Sequence, residues 1–353
     1  MGPHWPGGWC SSLSVNLNLS SVTPETWCRS NAFDATCRLQ CSAGATILQG
    51  YVPSAATRAM GEEETRAGDL PEPCLAHAIA LTSPRDACRC AAVSPAFRAA
   101  ADSDYVWGRF VPEDHRRAIA LHLHDAGRDR GPRKDAYLAL CDGGGGGVPV
   151  DVDGDGWCRL WLDQASGAKC YALSARRLSL PWEDGDFCWR WAPHARSRFG
   201  EVAELMDCSY LDIYGRLPVA VLTRATSYAA YLVYGIAEGH RGLSFPDQEA
   251  AVSLGGRVPA ESHHRRSVCL RPDEAEARKF WGAGAVIPYG VGGVHVPRLR
   301  DDGWWEVEMG RLRTVEAGEH EAPGEDVVAS FEVVGSYPKR GLILEGIEFR
   351  KLQ

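Results

Sequence analysis

Near Trp157 the apolar residues of this chain change their spacing, and no single fold element satisfies both patterns. A helix buries residues three and four apart, whereas a strand buries every second one. The chain must therefore divide into a helical part ahead of that point and a β-rich part after it. Downstream, Tyr228, Ala230, Leu232 and Tyr234 alternate with Ala229, Tyr231 and Val233. Both faces are apolar, which predicts a central strand covered on both sides. Trp305, Val307 and Met309 alternate with Glu306 and Glu308, the pattern of a half-buried strand. Phe331-Glu332-Val333, Leu342-Ile343-Leu344 and Ile347-Glu348-Phe349 continue the series with glycine-containing breaks. Many short strands with turn signals between them predict a β-sandwich or barrel.

The helical part is concentrated in residues 66–112. Leu75 and Ile79 share one helix face. Ser83-Pro84-Arg85-Asp86 is a helix start: the serine caps free amides, the proline presets φ, and the aspartate completes a capping box. Ser94-Pro95 repeats the device. Val93, Phe97, Val106, Trp107 and Phe110 supply apolar contacts. A module of about 40 residues cannot hold a deep core alone, so it calls for a partner or a packed neighbour.

With 353 residues the chain has room for two or three such units. Residues 1–65 read as an unstructured or variable leader, since only five charged side chains fall in residues 1–60 and no periodicity is sustained there. Cys37 and Cys41 lack the second pair that a structural zinc site needs. Residues 113–156 read as a helical and polyglycine linker, with Gly143–Gly147 as its flexible centre. Those glycines are followed by Val148-Pro149-Val150, not by the lysine and hydroxyl of a phosphate loop. Asp151, Asp153, Asp155 and Gly156 imitate half of a calcium loop, but its twelfth position is Leu162 instead of glutamate, so a solvated turn is expected. His263-His264 reads as a polar loop, and Cys88 and Cys90 as small helix fillers. A net charge of −8 argues against sequence-independent nucleic-acid binding. The odd count of 13 scattered cysteines points to reduced thiols and a cytoplasmic or nuclear setting. No apolar run reaches the ~18 residues of a membrane span.

The order Leu70-Pro71, Leu75, Ile79, Leu81, Asp86, Val93, Phe97, Trp107 resembles the F-box. The β-rich part resembles the phloem protein 2 domain across residues 157–351. The resemblance rests on Trp161-Leu162-Asp163, Lys169-Cys170-Tyr171, Leu180-Pro181-Trp182, Trp189-Arg190-Trp191, Phe199–Leu205, Leu211–Gly215, Ser227–Tyr234, Asp302-Gly303-Trp304 and Gly341-Leu342-Ile343. Together they look like the plant F-box/phloem-protein-2 family of the PP2-B type. The leader and a stretch at 256–300, read as a lengthened loop, depart from the family pattern.

That resemblance implies an all-α docking module followed by a jelly-roll-like lectin sandwich. It implies that Leu70, Pro71, Leu75, Ile79, Val93, Phe97 and Trp107 dock on a Skp-type adaptor and through it on a cullin ligase. It further implies a glycan or glycoprotein target of N-acetylglucosamine type, held by Trp182, Trp189, Glu325 and Glu332. Indole faces pack on sugar C–H faces, and carboxylates accept from sugar hydroxyls. The chain is expected to be a non-catalytic ligase subunit without a cofactor. The alternative is a free-standing, stress-related lectin, and a weaker idea uses the two glutamates as a glycosidase pair.

Overall fold

A computed structural model describes residues 70–352, apart from 129–130, 142–145, 155, 181–187, 245–246, 256–264, 274, 276–293, 316–324 and 334. The leader, Cys37, Cys41, Trp182, His263 and His264 therefore lie outside the described residues.

The helical part comprises α1 (Glu72–Ala80), α2 (Pro84–Cys90), α3 (Pro95–Ala101), α4 (Asp104–Phe110), α5 (Arg116–Asp125) and α6 (Arg133–Leu140). Both expected caps are present. The Ser83 hydroxyl accepts from the Asp86 amide at 3.2 Å and donates to the Asp86 carboxylate at 2.8 Å, while Ser94 accepts from the Phe97 amide at 3.3 Å. α1 buries Leu75, Ala76, Ile79 and Ala80. Trp107 closes this small core, its indole N–H donating to the Ala101 carbonyl at 2.8 Å.

The β part begins with β1 (Val148–Val150), β2 (Cys158–Leu162), β3 (Lys169–Ser174), β4 (Trp189–Pro193), β5 (Glu201–Leu205), β6 (Leu211–Pro218) and β7 (Ser227–Arg241). It continues with β8 (Gln248–Leu254), β9 (Arg265–Val268), β10 (Arg298–Leu299), β11 (Trp305–Arg313), β12 (Asp326–Val333) and β13 (Arg340–Lys351). One sheet runs β1-β2-β3-β13-β7-β11-β10, with the β4–β5 hairpin joined to β13 through β5. The other runs β6-β12-β8-β9. The pairings between these named strands are antiparallel. As its two apolar faces predict, β7 is central, flanked by β13 and β11. Phe331, Leu232, Tyr234, Leu344, Ile347 and Phe349 belong to the core between the sheets. Gly215 sits where the sheets approach closely: a Cβ there would lie 2.8 Å from Ile347 Cδ1. This is a helical module followed by an antiparallel sandwich, as the change in periodicity required.

Several expectations are corrected. Residues 113–156, read as a helical and polyglycine linker, do hold the helices α5 and α6, but with β1 they contribute Ile119, Leu123, Tyr137, Leu140, Val148 and Val150 to the buried core shared with the sandwich. The two parts are also bonded directly. The Tyr137 hydroxyl donates to the Asp163 carbonyl (3.2 Å), the Arg85 amide donates to Ala165 (3.0 Å), and His115 Nε2 meets the Tyr171 hydroxyl (2.9 Å). Part of the supposed loop at 256–300 forms β9 and β10. The turn expected of the apparent calcium motif, by contrast, is present: Asp151 accepts from the Gly154 amide and Asp153 pairs with Arg177, while Asp155 lies outside the described residues.

The largest departure concerns the outer face of the larger sheet. Glu306 was expected to meet solvent, yet Glu306, Glu345 and Glu348 are all buried. Arg198 binds Glu345 (3.0 Å) and Glu348 (2.6 Å), Arg300 binds Glu348 (2.7 Å), and Arg350 binds Glu306 (2.6 Å) while lying over the Tyr231 ring. Buried charges persist only when paired in this way. Burial alone would raise the Glu348 carboxyl; Arg198, Arg350 and Arg300 outweigh it and bring it down to about 2 from the usual 4.5. A depressed carboxylate adds stability that is present above its unfolded value and lost as pH falls through the folded one. Denaturant titrations should accordingly show stability falling between about pH 4.5 and pH 2, and Glu348→Gln should flatten that limb while lowering stability at pH 7. An unchanged acid limb in the variant would contradict this assignment.

Candidate functional site

The sandwich presents a second, more open group of charges on the outer face of its smaller sheet. Alternation along β6 sends Leu211, Ile213 and Leu217 into the core, which leaves Asp212 and Tyr214 on the other side. Glu332 stands opposite Asp212 on one neighbour and opposite Glu249 on the other. Its two oxygens are both engaged: the Tyr214 hydroxyl donates to Oε1 at 3.0 Å and Arg265 Nη1 donates to Oε2 at 2.9 Å. The same Arg265 nitrogen reaches Glu249 at 3.0 Å. Two carboxylates thus share one guanidinium, beside a phenol and the third carboxylate of Asp212.

The electrostatics follow from that crowding. Hydrogen bonds to Glu249 and Glu332 raise the Arg265 pKa, so the cation is held firmly. Burial, then the charge of Glu332, raises the Asp212 carboxyl, against the pull of Lys339. Burial and the bond to Glu332 push the Tyr214 phenol up to about 12, so it remains a donor. Carboxylates fixed by neighbours beside an aromatic ring suit a polyhydroxylated ligand, to which they offer acceptors of defined direction.

Of the expected sugar residues, the three that lie among the described residues, Trp189, Glu325 and Glu332, are not brought together. Trp189 on β4 is only 2% exposed and belongs to the core, its indole N–H without a hydrogen-bond partner among the described residues. Its neighbour Trp191 is the accessible one of the pair, with the Arg176 guanidinium 3.7 Å from its ring centre. Glu325 precedes β12 and its carbonyl accepts from the Val219 amide. Seven residues separate it from Glu332, about 24 Å along an extended strand. The two glutamates therefore cannot flank one glycosidic bond, which needs carboxyls roughly 5–10 Å apart. Trp182 lies outside the described residues, but the chain leaves for that stretch beside the cluster, because Ser179 is bridged to Tyr214.

The docking residues separate into two kinds. Leu75, Ile79 and Trp107 are buried and hold the helices together. Phe97 is half-buried, whereas Leu70, Pro71 and Val93 are exposed, Val93 by 58%. Val93, expected among the docking residues, is thus accessible, as is the still more exposed Leu81. Sequence reasoning passed over Asp212, Tyr214, Glu249 and Arg265. The alternation of β6 could have revealed the first two; Arg265 was hidden in a stretch read as loop.

The Arg265 arrangement yields a prediction. Arg265→Ala leaves Glu249 and Glu332 without their shared cation and should cost about 1 kcal/mol at pH 7, the partial exposure of the group keeping the loss small. Urea titrations at low and high salt should show the deficit shrinking as salt screens the exposed part of the ion pairs. A deficit independent of salt would contradict the shared-cation reading.

Comparisons with known proteins agree with this division. The family model described as phloem protein 2 matches residues 168–351, and the F-box-like model matches residues 67–113. Among similar Arabidopsis thaliana proteins, the F-box protein PP2-B10 is 34% identical over 83% of this chain and 97% of its own length. The F-box protein PP2-B15 is 33% identical over 80% of this chain and 96% of its own, and the F-box protein VBF 33% over 80% and 98%. Helices at 72–110 that expose an apolar set, followed by an antiparallel sandwich with a polar outer sheet, are thus the parts of one shared architecture. The chain belongs to the F-box/phloem protein 2 family.

Proposed function

We propose that this chain is a non-catalytic substrate receptor of a Skp–cullin–F-box ubiquitin ligase, working in the cytoplasm or nucleus. In this reading the helices dock on the Skp-type adaptor through exposed Leu70, Leu81 and Val93, while Leu75, Ile79 and Trp107 keep that surface in shape. The sandwich captures a glycan or glycoprotein of N-acetylglucosamine type, with the outer face around Glu332 and Tyr214 as the receiving surface. A separate enzyme transfers ubiquitin.

The observation that carries the reading is the direct bonding of helices to sandwich through Tyr137, Arg85 and His115. A receptor must present its target at a fixed place relative to the ligase, and this interface supplies a fixed relation between docking surface and capture surface. The distance between Glu325 and Glu332 supports a binding role for the sandwich over hydrolysis by that pair.

Two tests follow. Retention of the full chain on a Skp-type adaptor should fall at least tenfold in a Leu70→Asp/Val93→Asp variant; both positions are exposed, so circular dichroism should remain unchanged. Absence of retention by the wild type would overturn the adaptor role and favour the free-standing lectin. On a glycan array carrying N-acetylglucosamine oligomers, Glu332→Gln should weaken binding roughly tenfold, the scale of a lost charge-assisted hydrogen bond, and leave adaptor retention intact. Equal glycan binding by variant and wild type would remove the site at Glu332.

A further inference from the structure

The positive charge of this chain is carried almost wholly by arginine. Of its 353 residues, 33 are arginine and 5 are lysine, and no lysine precedes Lys134. Lysine is ordinarily among the commonest residues of a soluble protein. The two cations differ in chemistry as well as in shape. An ε-amine can lose its proton and attack a carbonyl, and it is the group to which ubiquitin is joined; a guanidinium stays charged and accepts nothing.

The few amines are engaged. Lys339 is buried, and its Nζ donates to the carbonyls of Ser209 (2.8 Å), Gly335 (2.6 Å) and Tyr337 (2.9 Å). Lys169 Nζ lies 2.5 Å from the Asp114 carboxylate, on a side chain only 15% exposed. Lys134 binds Asp102 at 2.7 Å and lies over the Trp107 ring, and Lys351 reaches Asp163 at 3.4 Å. Lys279 lies outside the described residues. Arginines occupy the open positions instead, among them Arg117, Arg128 and Arg241, which are all exposed.

We propose that the chain is built to escape the ubiquitin that its own ligase transfers: groups unable to accept carry its surface charge, and carboxylates or carbonyls engage its described lysines. The inference rests on the receptor role proposed above. A receptor docked on the ligase stays beside the transferring enzyme while successive targets come and go, so its own amines compete with theirs. In the transfer a neutral lysine amine attacks the thioester carbonyl of the carried ubiquitin. The C–N bond forms, the C–S bond breaks, and the amine's proton leaves with the enzyme's thiol. An amine in an ion pair must first be released from it, and Lys339 would have to leave three carbonyls and the protein interior. The receptor therefore outlasts the targets it delivers.

The test uses the full chain with a Skp-type adaptor, a cullin, the ubiquitin-activating and ubiquitin-transferring enzymes, and ubiquitin. Beside it runs a variant with Arg117→Lys, Arg128→Lys and Arg241→Lys, which keeps the charge at exposed positions outside the residues proposed for docking and capture. The variant should take up ubiquitin roughly tenfold faster than the wild type, since its new amines are neither buried nor committed to a carboxylate. Mass spectrometry should find Gly-Gly remnants on the new lysines and none on Lys134, Lys169, Lys339 or Lys351. Remnants on those four at the variant's rate would overturn the proposal. An adaptor-bound variant that stays unmodified would overturn it equally, because the scarcity of amines would then protect nothing. Retention on the adaptor, read in the same samples, keeps the two readings apart: its loss in both chains sinks the receptor role itself, and this proposal with it.

Discussion

Tyr137 stands where the helices meet the sandwich, and the arrangement of both depends on it. Its ring lies 5.2 Å from that of Trp107 and 6.2 Å from that of Phe110, and its hydroxyl crosses to the Asp163 carbonyl. Burial pushes the phenol far above its ordinary value, so it acts as a permanent donor. A helical module of this size lacks the interior to fold around itself. The sandwich lends the missing surface. Leu70, Leu81 and Val93 flank the helices and are exposed among the described residues.

The two outer sheet faces use charge in opposite ways. On the larger sheet, Glu306, Glu345 and Glu348 are buried and matched by arginines, a group that fixes loops onto strands. On the smaller sheet, Glu249 and Glu332 share the one cation of Arg265 beside Asp212, and the group remains partly open. The first pattern is what strong coupling in a low-dielectric setting requires. The second leaves acceptor capacity unused, and that is the chemical basis for assigning the receiving surface to the smaller sheet.

Much of this was legible in the sequence where one local rule decided the outcome. Ser83 and Ser94 cap helices because hydroxyl, proline and spacing all act within one turn. Tyr228–Tyr234 is central because both faces are apolar. Local rules failed where a distant segment intervened. Alternation sent Glu306 to solvent, but Arg300 and Arg350 arrive from other strands and loops to bury it. Trp189 and Trp191 share a strand and a spacing, and only the covering of the hairpin makes the first a core residue while Arg176 stacks on the second. The glycines suggested a tether, yet the helices on one side of them and the strand on the other pack into the same core. Of the site, the polar face of β6 was readable; the convergence of Glu249, Glu332 and Arg265 needed the β6-β12-β8-β9 order.

The central proposal is that the helices and the sandwich, and with them the surfaces proposed for docking and capture, are held in one rigid relation. Pulsed dipolar spectroscopy between spin labels placed at exposed Val93 and exposed Leu299 tests it most directly. The account predicts one narrow distance distribution, which broadens when Tyr137→Ala and His115→Ala remove the bonds across the interface. A broad distribution in the unmodified chain, as two tethered bodies would give, would contradict it.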